Sequence, residues 1–468
     1  MNFDSIEAEG LPAATVIVVK FITLAAARLR EAMNRPLSPE RVAVALCEAC
    51  AGWRDRGYAT RRETVAAIAA AWGWSDALVD ESIDALLAPF SAAALENLAL
   101  RTPHQSGAAS NDAANPRRSG IVGLILPGNL PGAGIHEIAI GLIAGRALMV
   151  KTATAEPIFF VRFVQTLREV DAEVAARIEV MNWSRERVEL TASLRANCAW
   201  IAAFGDDETI ARLGASAQYA SVEASASPEE TGAGNLGVGS DVGNLAVGFG
   251  SRVSGVLVAK EMVGGADAVA LTDVLALADG VARDVSLFEQ QGCLSPHHIF
   301  VESAGLDARI GAGRAFAREL AAALERCAHR MPSPRRYGLE EAAKVRRVRE
   351  AARWRAIGGG TVELWEGSRL GWTVVWDEVA VFTPSPGYRT VTVSPIRDFE
   401  DLKQRLKPVM GRIEAFAIAA PAAARERWHA ALSGLGICYL CEPGAMQSPP
   451  LDWSHGGGAF MRALATMR

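Results

Sequence analysis

The sequence predicts an α/β protein in which a doubly wound, Rossmann-type parallel sheet is followed by a second α/β unit. Three observations carry that prediction. Between residues 121 and 217, strand-like and helix-like runs alternate with short joins, the pattern of right-handed crossovers onto a parallel sheet. Half of the 468 residues are apolar and 22% are charged, a globular composition with ample material for a core. A glycine-, serine- and alanine-rich stretch from 219 to 243 then separates this alternating part from a further set of helices and strands.

Taken in order, residues 37 to 102 are rich in alanine and leucine and read as all-helical. The polar, turn-forming RTPHQSGAASNDAANPRRSG follows. Next come the strand IVGLIL, the helix IHEIAIGLIAG, the strand ALMVKT and the helix PIFFVRFVQTLREV. IEVMNW and AWIAAFG continue as strands, each followed by a helix, RERVELTASL and DETIARLGASA. Parallel sheets bind ligands at the carboxyl ends of their strands, so the loops after Leu126, Thr152 and Phe204 are the places to search. The only G-x-G-x-x-G, at Gly232, Gly234 and Gly237, lacks a preceding strand and a following helix, and is read as loop. NLAVGF and GVLVA then lead to LTDVLALADGVARDVSLFEQ, where Val274, Leu277, Ala278, Val281, Val285 and Phe288 share one helical face. HHIFVE is a strand. Helices at 311–329 and 339–356 and strands at 361–366, 371–383 and 389–394 follow, and the tail adds RIEAFAIAA and CYLCEP between helices. The organisation expected is a mostly helical part to 110, a parallel-sheet unit over 111–262, a second α/β unit over 263–430, and a tail over 431–468.

Charge and cysteine usage narrow the function classes. Net charge is −5 and no basic run is interleaved with aromatics, so no nucleic-acid footprint is present. The basic KVRRVREAARWR has the spacing of a helix's wet face. LPAATVIVVKFITLAAARL near the start is interrupted by Lys20, follows Asp4, Glu7 and Glu9, and carries no convincing cleavage site. A cytoplasmic protein without a membrane span is expected. Seven cysteines, an odd number, argue against a disulfide framework. The pairs Cys47/Cys50 and Cys438/Cys441 are expected to be ordinary apolar thiols rather than metal ligands.

Three features carry candidate chemistry. PGNLPGAG, residues 127 to 134, makes a constrained turn between strand and helix. Its Asn129 either donates its amide to an oxyanion or caps its own backbone. Lys151 leaves a buried strand at the ligand-binding edge, where a phosphate or ribose competes with plain solvation. Cys293 sits in EQQGCLSPHH, at a junction between helix-like and strand-like runs rather than inside an apolar pattern.

The order of PGNLP, a strand ending MVK, and a later G-C between helix and strand resembles the aldehyde dehydrogenase superfamily. Within it, AFGDDETI, VGFGSRVSGVLV, FEQQGCLSP, PGYRTVTVSP and GAMQSPPLDWSHGGG resemble the fatty acyl-CoA reductase branch, the luminescence-type fatty acid reductases. The resemblance implies an aldehyde dehydrogenase-like fold and makes Cys293 the acyl-accepting nucleophile. Asn129 and the Cys293 N–H become the oxyanion donors. Lys151 would contact the adenosine ribose or its phosphate, and Gly205 would let the pyrophosphate approach. Leu126, Pro127, Gly128, Thr154 and Gly250 complete the expected cofactor contacts. Thr154 stands where NAD-preferring members often place glutamate, so the cofactor expected is NADPH. Asp206 and Asp207 oppose a diphosphate unless they cap the next helix. Gly248 stands where hydrolytic members carry the glutamate that activates water, which favours hydride over water as acceptor of the acyl group. Gly456 replaces the aspartate that often follows the tail histidine, here His455. His297 or His298 is a candidate source of charge near the thiol, strand alternation turning only one inward. An acyl-CoA or acyl-protein thioester substrate, an acyl-protein synthetase or other acyl-transfer partner, and a homo-oligomer are likewise implied. The rival readings are an aldehyde-oxidising enzyme using NAD(P)+ and a non-catalytic subunit of a reductase complex.

Overall fold

The computed structural model describes residues 12–102, 120–213, 245–263, 268–303, 306–334, 337–358 and 361–466. Five parallel strands form a first sheet: β1 (Ile121–Ile125), β2 (Ala147–Thr152), β3 (Ile178–Asn182), β4 (Trp200–Phe204) and β5 (Leu245–Phe249). Their order is β3-β2-β1-β4-β5, with every neighbouring pair parallel. The chain winds outward from β1 to β3, then returns to place β4 on the other side of β1. This reversal creates a switch point, where the loops after β1 and β4 part and leave a crevice. β1, β2 and β4 are buried along their whole length, which is why their sequences are runs of apolar residues rather than alternating, broken only by Lys151 and Thr152 at the end of β2.

The second sheet has seven strands in the order β12-β11-β6-β7-β10-β9-β8. They are β6 (Val253–Val258), β7 (Pro296–Glu302), β8 (Val362–Glu366), β9 (Thr373–Asp377), β10 (Thr390–Ile396), β11 (Ile413–Ala419) and β12 (Tyr439–Cys441). All neighbours run parallel except β8 and β9. The strand expected over 371–383 is thus shorter. Beyond Asp377 the Arg405 guanidinium takes the carbonyls of Ala380 at 2.7 Å and Glu378 at 3.0 Å, and Pro384 and Pro386 remove ladder donors.

Helices cover the first sheet on both faces. Ile22, Ala25, Ala26, Leu29 and Met33 of the helix Pro12–Met33 bury against Ile121, Ile125, Ala147 and Ile201. The apolar run near the start is therefore a core-packing helix. Four further helices, Pro39–Arg54, Ala59–Trp72, Asp76–Leu87 and Ala92–Arg101, join the main core. Trp53 anchors them, with its ring 5.0 Å from that of Phe159 and its Nε1 donating to Thr166 Oγ1 at 3.0 Å. Among the described residues, no single helix is long and apolar enough to cross a membrane.

The helix Ala268–Ser286 ends before the expected Gln290, and the reason bears on the site. Phe288, Glu289 and Gln290 adopt positive φ of 55°, 51° and 60°, which no non-glycine residue adopts without cost. A second left-handed pair, Tyr388 and Arg389, lies opposite. The two turns interlock. Glu289 and Arg389 form an ion pair with both side chains fully buried. Gln290 donates to the carbonyls of Pro296 at 2.7 Å and Thr390 at 2.9 Å, and accepts from Thr390 N at 2.7 Å. Tyr388 N donates to Glu289 O at 3.0 Å, and Phe288 N donates to Ser82 Oγ at 3.2 Å. Replacing Arg389 by methionine leaves Glu289 as an uncompensated buried charge. A loss of about 3–5 kcal/mol is expected in urea unfolding, with part recovered in the Glu289→Gln/Arg389→Met double variant.

Candidate active site

β5 passes into β6 through residues 250–252, and where the two sheets meet lies a cleft of about 880 Å³. The expected nucleophile, oxyanion donor and cofactor contacts all line it. Leu126, Pro127, Gly128 and Asn129 follow β1, Lys151 and Thr154 mark the end of β2, Gly205 follows β4, and Gly250 follows β5. Cys293 enters from the opposite wall, half-buried in the turn before β7.

The turn after β1 needs its glycines. Gly134 has φ +96°, and a Cβ there would stand 2.5 Å from Leu126 Cδ2. Asn129 does not cap its own backbone. Its Nδ2 donates to Gln291 O at 2.6 Å, two residues before the cysteine, and the second amide proton remains for another acceptor. Ser254 Oγ of β6 donates to Cys293 O at 2.7 Å, so the turn that carries Cys293 is pinned from both sheets.

Lys151 is a buried residue at the strand end, only 8% exposed, rather than a solvated one. Thr154 lies exposed just beyond it. Asp206 caps the short helix Asp207–Arg212, its Oδ1 accepting from Thr209 N at 2.7 Å. Asp207 Oδ1 accepts from Ser251 N at 2.9 Å and its other oxygen faces Arg412 at 3.7 Å. Gly248 is buried within β5 while its neighbours Phe249 and Gly250 line the cleft. The glycine-rich fingerprint at Gly232, Gly234 and Gly237 lies outside the described residues.

Neither histidine of the HH pair supplies charge. His297 lines the cleft, but its Nδ1 accepts from Ser385 N at 2.8 Å and burial pushes its pKa down to about 4. His298, fully buried, contacts Ser394 Oγ at 2.9 Å; burial, with Arg405 nearby, pushes it down to about 3. Alternation along β7 separates them, and desolvation keeps both neutral.

The imidazole beside Cys293 is His455. It lines the cleft with Cys293 and interacts electrostatically with its side chain, while its Nδ1 meets Glu137 Oε1 at 2.7 Å. Its ring is held between Trp453 and Phe249, with centroids 4.3 and 4.4 Å away and near-parallel planes. Burial opposes a charge on His455, but Glu137, the Cys293 contact and Glu414 outweigh it and hold the group well above its ordinary value. Burial likewise opposes the Glu137 carboxylate, yet His455 holds it below its ordinary range. Sequence reasoning missed this pair. The one available signal was polar His136-Glu137 opening an otherwise apolar helix, Ile135–Ile143.

The tail is delivered by a chain of buried bonds. Asp284 accepts from Gly444 N at 2.6 Å and Met446 N at 3.1 Å; burial pushes its pKa up to about 7. Gln447 donates to Asp284 O at 3.1 Å and Ser295 Oγ at 3.0 Å, two residues past Cys293. Gly456 N donates to Glu414 Oε1 at 3.1 Å. Among the described residues no group of three or more His, Cys, Asp or Glu is placed to hold a metal ion. Cys50 is buried and Cys47 half-buried on the helix Pro39–Arg54, away from this site.

The acyl-CoA reductase (LuxC) family model matches residues 40–223 and 240–467. The chain belongs to that family. Among curated proteins, it is 23% identical to "Long-chain acyl-protein thioester reductase 2" of Photobacterium leiognathi over 281 residues. That match takes in 59% of this chain and 49% of the relative, so the chain spans about half the length of the curated relative it matches. Solved structures place the LuxC-family chain in the aldehyde dehydrogenase fold. A NAD-dependent benzaldehyde dehydrogenase from Corynebacterium glutamicum aligns with TM-score 0.63 at 13% identity, covering 95% of this chain and 88% of that one. An oxidoreductase from Marinobacter aquaeolei aligns with TM-score 0.61 at 15% identity, covering 91% and 83%. Succinic semialdehyde dehydrogenase from Streptococcus pyogenes, solved with NADP+, aligns with TM-score 0.58 at 13% identity, covering 92% and 87%.

The glycine after the tail histidine has a physical reason in this LuxC-family chain. Gly456 has φ +55°, and a Cβ there would stand 2.9 Å from the Phe249 ring that supports His455. Gly456→Asp is expected to cost about 1–3 kcal/mol from backbone strain, read as a lowered urea midpoint.

Proposed function

We propose that this protein reduces an activated fatty acyl group, delivered as a CoA or protein thioester, to the aldehyde through an S-acyl-Cys293 intermediate. The observation that carries the reading is Cys293 facing, across one cleft, the carboxyl-end loops of a parallel sheet at its switch point. Family membership supports the same acyl chemistry. In this reading residues 111–262 hold the cofactor, 263–430 the nucleophile, and 431–468 return the tail to the site.

The residues present fit a nicotinamide dinucleotide. At Gly205 a Cβ would already meet Thr209 at 3.0 Å, so bare backbone is what approaches a pyrophosphate there. Lys151 and Thr154 would meet the adenosine ribose and its 2′-phosphate, and Leu126, Pro127, Gly128 and Gly250 the remainder. NADPH, when bound, supplies the hydride. The chain's own groups do the rest. The Cys293 sulfur bonds to the acyl carbon, while the spare Asn129 amide proton and the Cys293 N–H face the oxygen that gains charge. Gly248 in β5 offers no carboxylate at that position to activate water, which favours hydride over water as the acceptor of the acyl group.

Two outcomes test this. Radiolabelled acyl-CoA is expected to label the parent protein and not Cys293→Ala. Aldehyde with NAD(P)+, and no thiol acceptor, is expected to give no carboxylate; carboxylate at a rate matching the reductive direction overturns the reading. Thr154→Glu places a carboxylate beside the 2′-phosphate position and is expected to lower the NADPH/NADH preference about tenfold, about 1.4 kcal/mol, in cofactor titrations.

A further inference from the structure

We propose that His455, backed by Glu137, is the acid–base partner of Cys293: it receives the thiol's proton and gives it to the departing thiol of the acyl donor. The inference rests on the acyl-transfer reading above and adds to it the group that moves the proton.

The geometry assigns the parts. His455 and Cys293 line the same cleft, and Glu137 Oε1 takes the His455 Nδ1 at 2.7 Å, which leaves Nε2 as the nitrogen for the thiol's proton. Stacking between Trp453 and Phe249 fixes the plane of the ring along that line. Glu137 is 3% exposed and sits in the first turn of its helix, where a carboxylate is also favoured by the helix dipole. The other cleft histidines are engaged elsewhere, His297 with Ser385 N and His136 with the Pro449 carbonyl at 3.3 Å. The charged and titratable groups facing His455 are Cys293, Glu137, His136 and Glu414, the last with Arg252 at 3.8 Å. Two carboxylates and the thiol outweigh one imidazole and burial, so a proton on His455 is stabilised where the transfer needs it.

The half-reaction balances without an oxidant or reductant. The Cys293 S–C bond forms, the C–S bond to the donor breaks, and the electron pair of that bond leaves on the donor sulfur. The proton that began on Cys293 passes through His455 to that sulfur, giving the free thiol. Glu137 touches neither reacting atom and is a positioning residue.

The test follows Cys293 in the full chain without NADPH. Rapid-mix alkylation by iodoacetamide, read by peptide mass, and acylation by radiolabelled dodecanoyl-CoA are compared across variants. His455→Ala is expected to slow both at pH 7 by about tenfold or more, and added imidazole to restore part of the rate. Glu137→Gln is expected to move the His455 limb of the pH–acylation profile to lower pH, because the carboxylate that holds the imidazole's proton is gone. The inference is overturned if His455→Ala alkylates at the parent's rate, if imidazole gives no recovery in a variant whose unfolding midpoint matches the parent's, or if Glu137→Gln leaves the profile in place. Failure of the parent to take the acyl label, with alkylation still dependent on His455, would instead overturn the acyl-transfer reading.

Discussion

The buried Glu289–Arg389 pair is the constraint on which the rest of the site depends. It holds residues 288–290 in a left-handed path that their side chains do not favour on their own. That path ends the helix Ala268–Ser286, reverses the chain, and turns Cys293 toward the cleft. Without it the helix would run on, and the cysteine would face whichever side the helical period dictated. Strain in the backbone is offset by a charge pair and by the hydrogen bonds of Gln290, all in a region from which water is excluded. Such an arrangement is costly to break at one partner and tolerant of little variation.

Around that fixed point the two sheets divide the labour. The first offers loops at its switch point, with bare glycine backbone and a buried lysine suited to an anionic ligand. The second offers a rigid strand start at β7 with a thiol just ahead of it. The tail joins them, anchored through Asp284 and Gln447 to the turn that carries Cys293 and through His455 to the helix after β1. A site made from three stretches of chain is held to its geometry by hydrogen bonds between them rather than by any one element.

Much of this was legible in the sequence because the relevant signals are local. Alternating apolar runs announce the parallel sheet, and Asn129, Lys151 and Gly205 are covalently next to strand ends, so placing the strands places them. Cys293 stood out by its glycine and glutamine neighbours. Other features are not local. Phe, Glu and Gln have no preference for positive φ, so the turn at 288–290 is imposed by Arg389 from afar. The strand at 373 is cut short by a guanidinium from residue 405. His455 and Glu137 are 318 positions apart, and no period or spacing connects them. Adjacent histidines at 297 and 298 were the nearer candidates in sequence and lost on desolvation.

The wide spacing of these contacts also bears on when the site comes into being. Phe288 is held by Ser82, Glu289 by Arg389 and His455 by Glu137, across separations of 206, 100 and 318 residues. Each closes a long loop, and loop-closure entropy makes such contacts late in folding. A nascent or half-folded chain therefore carries a cysteine without its partners. The cleft around the thiol is thus assembled only with the completed fold, from stretches of chain that meet last.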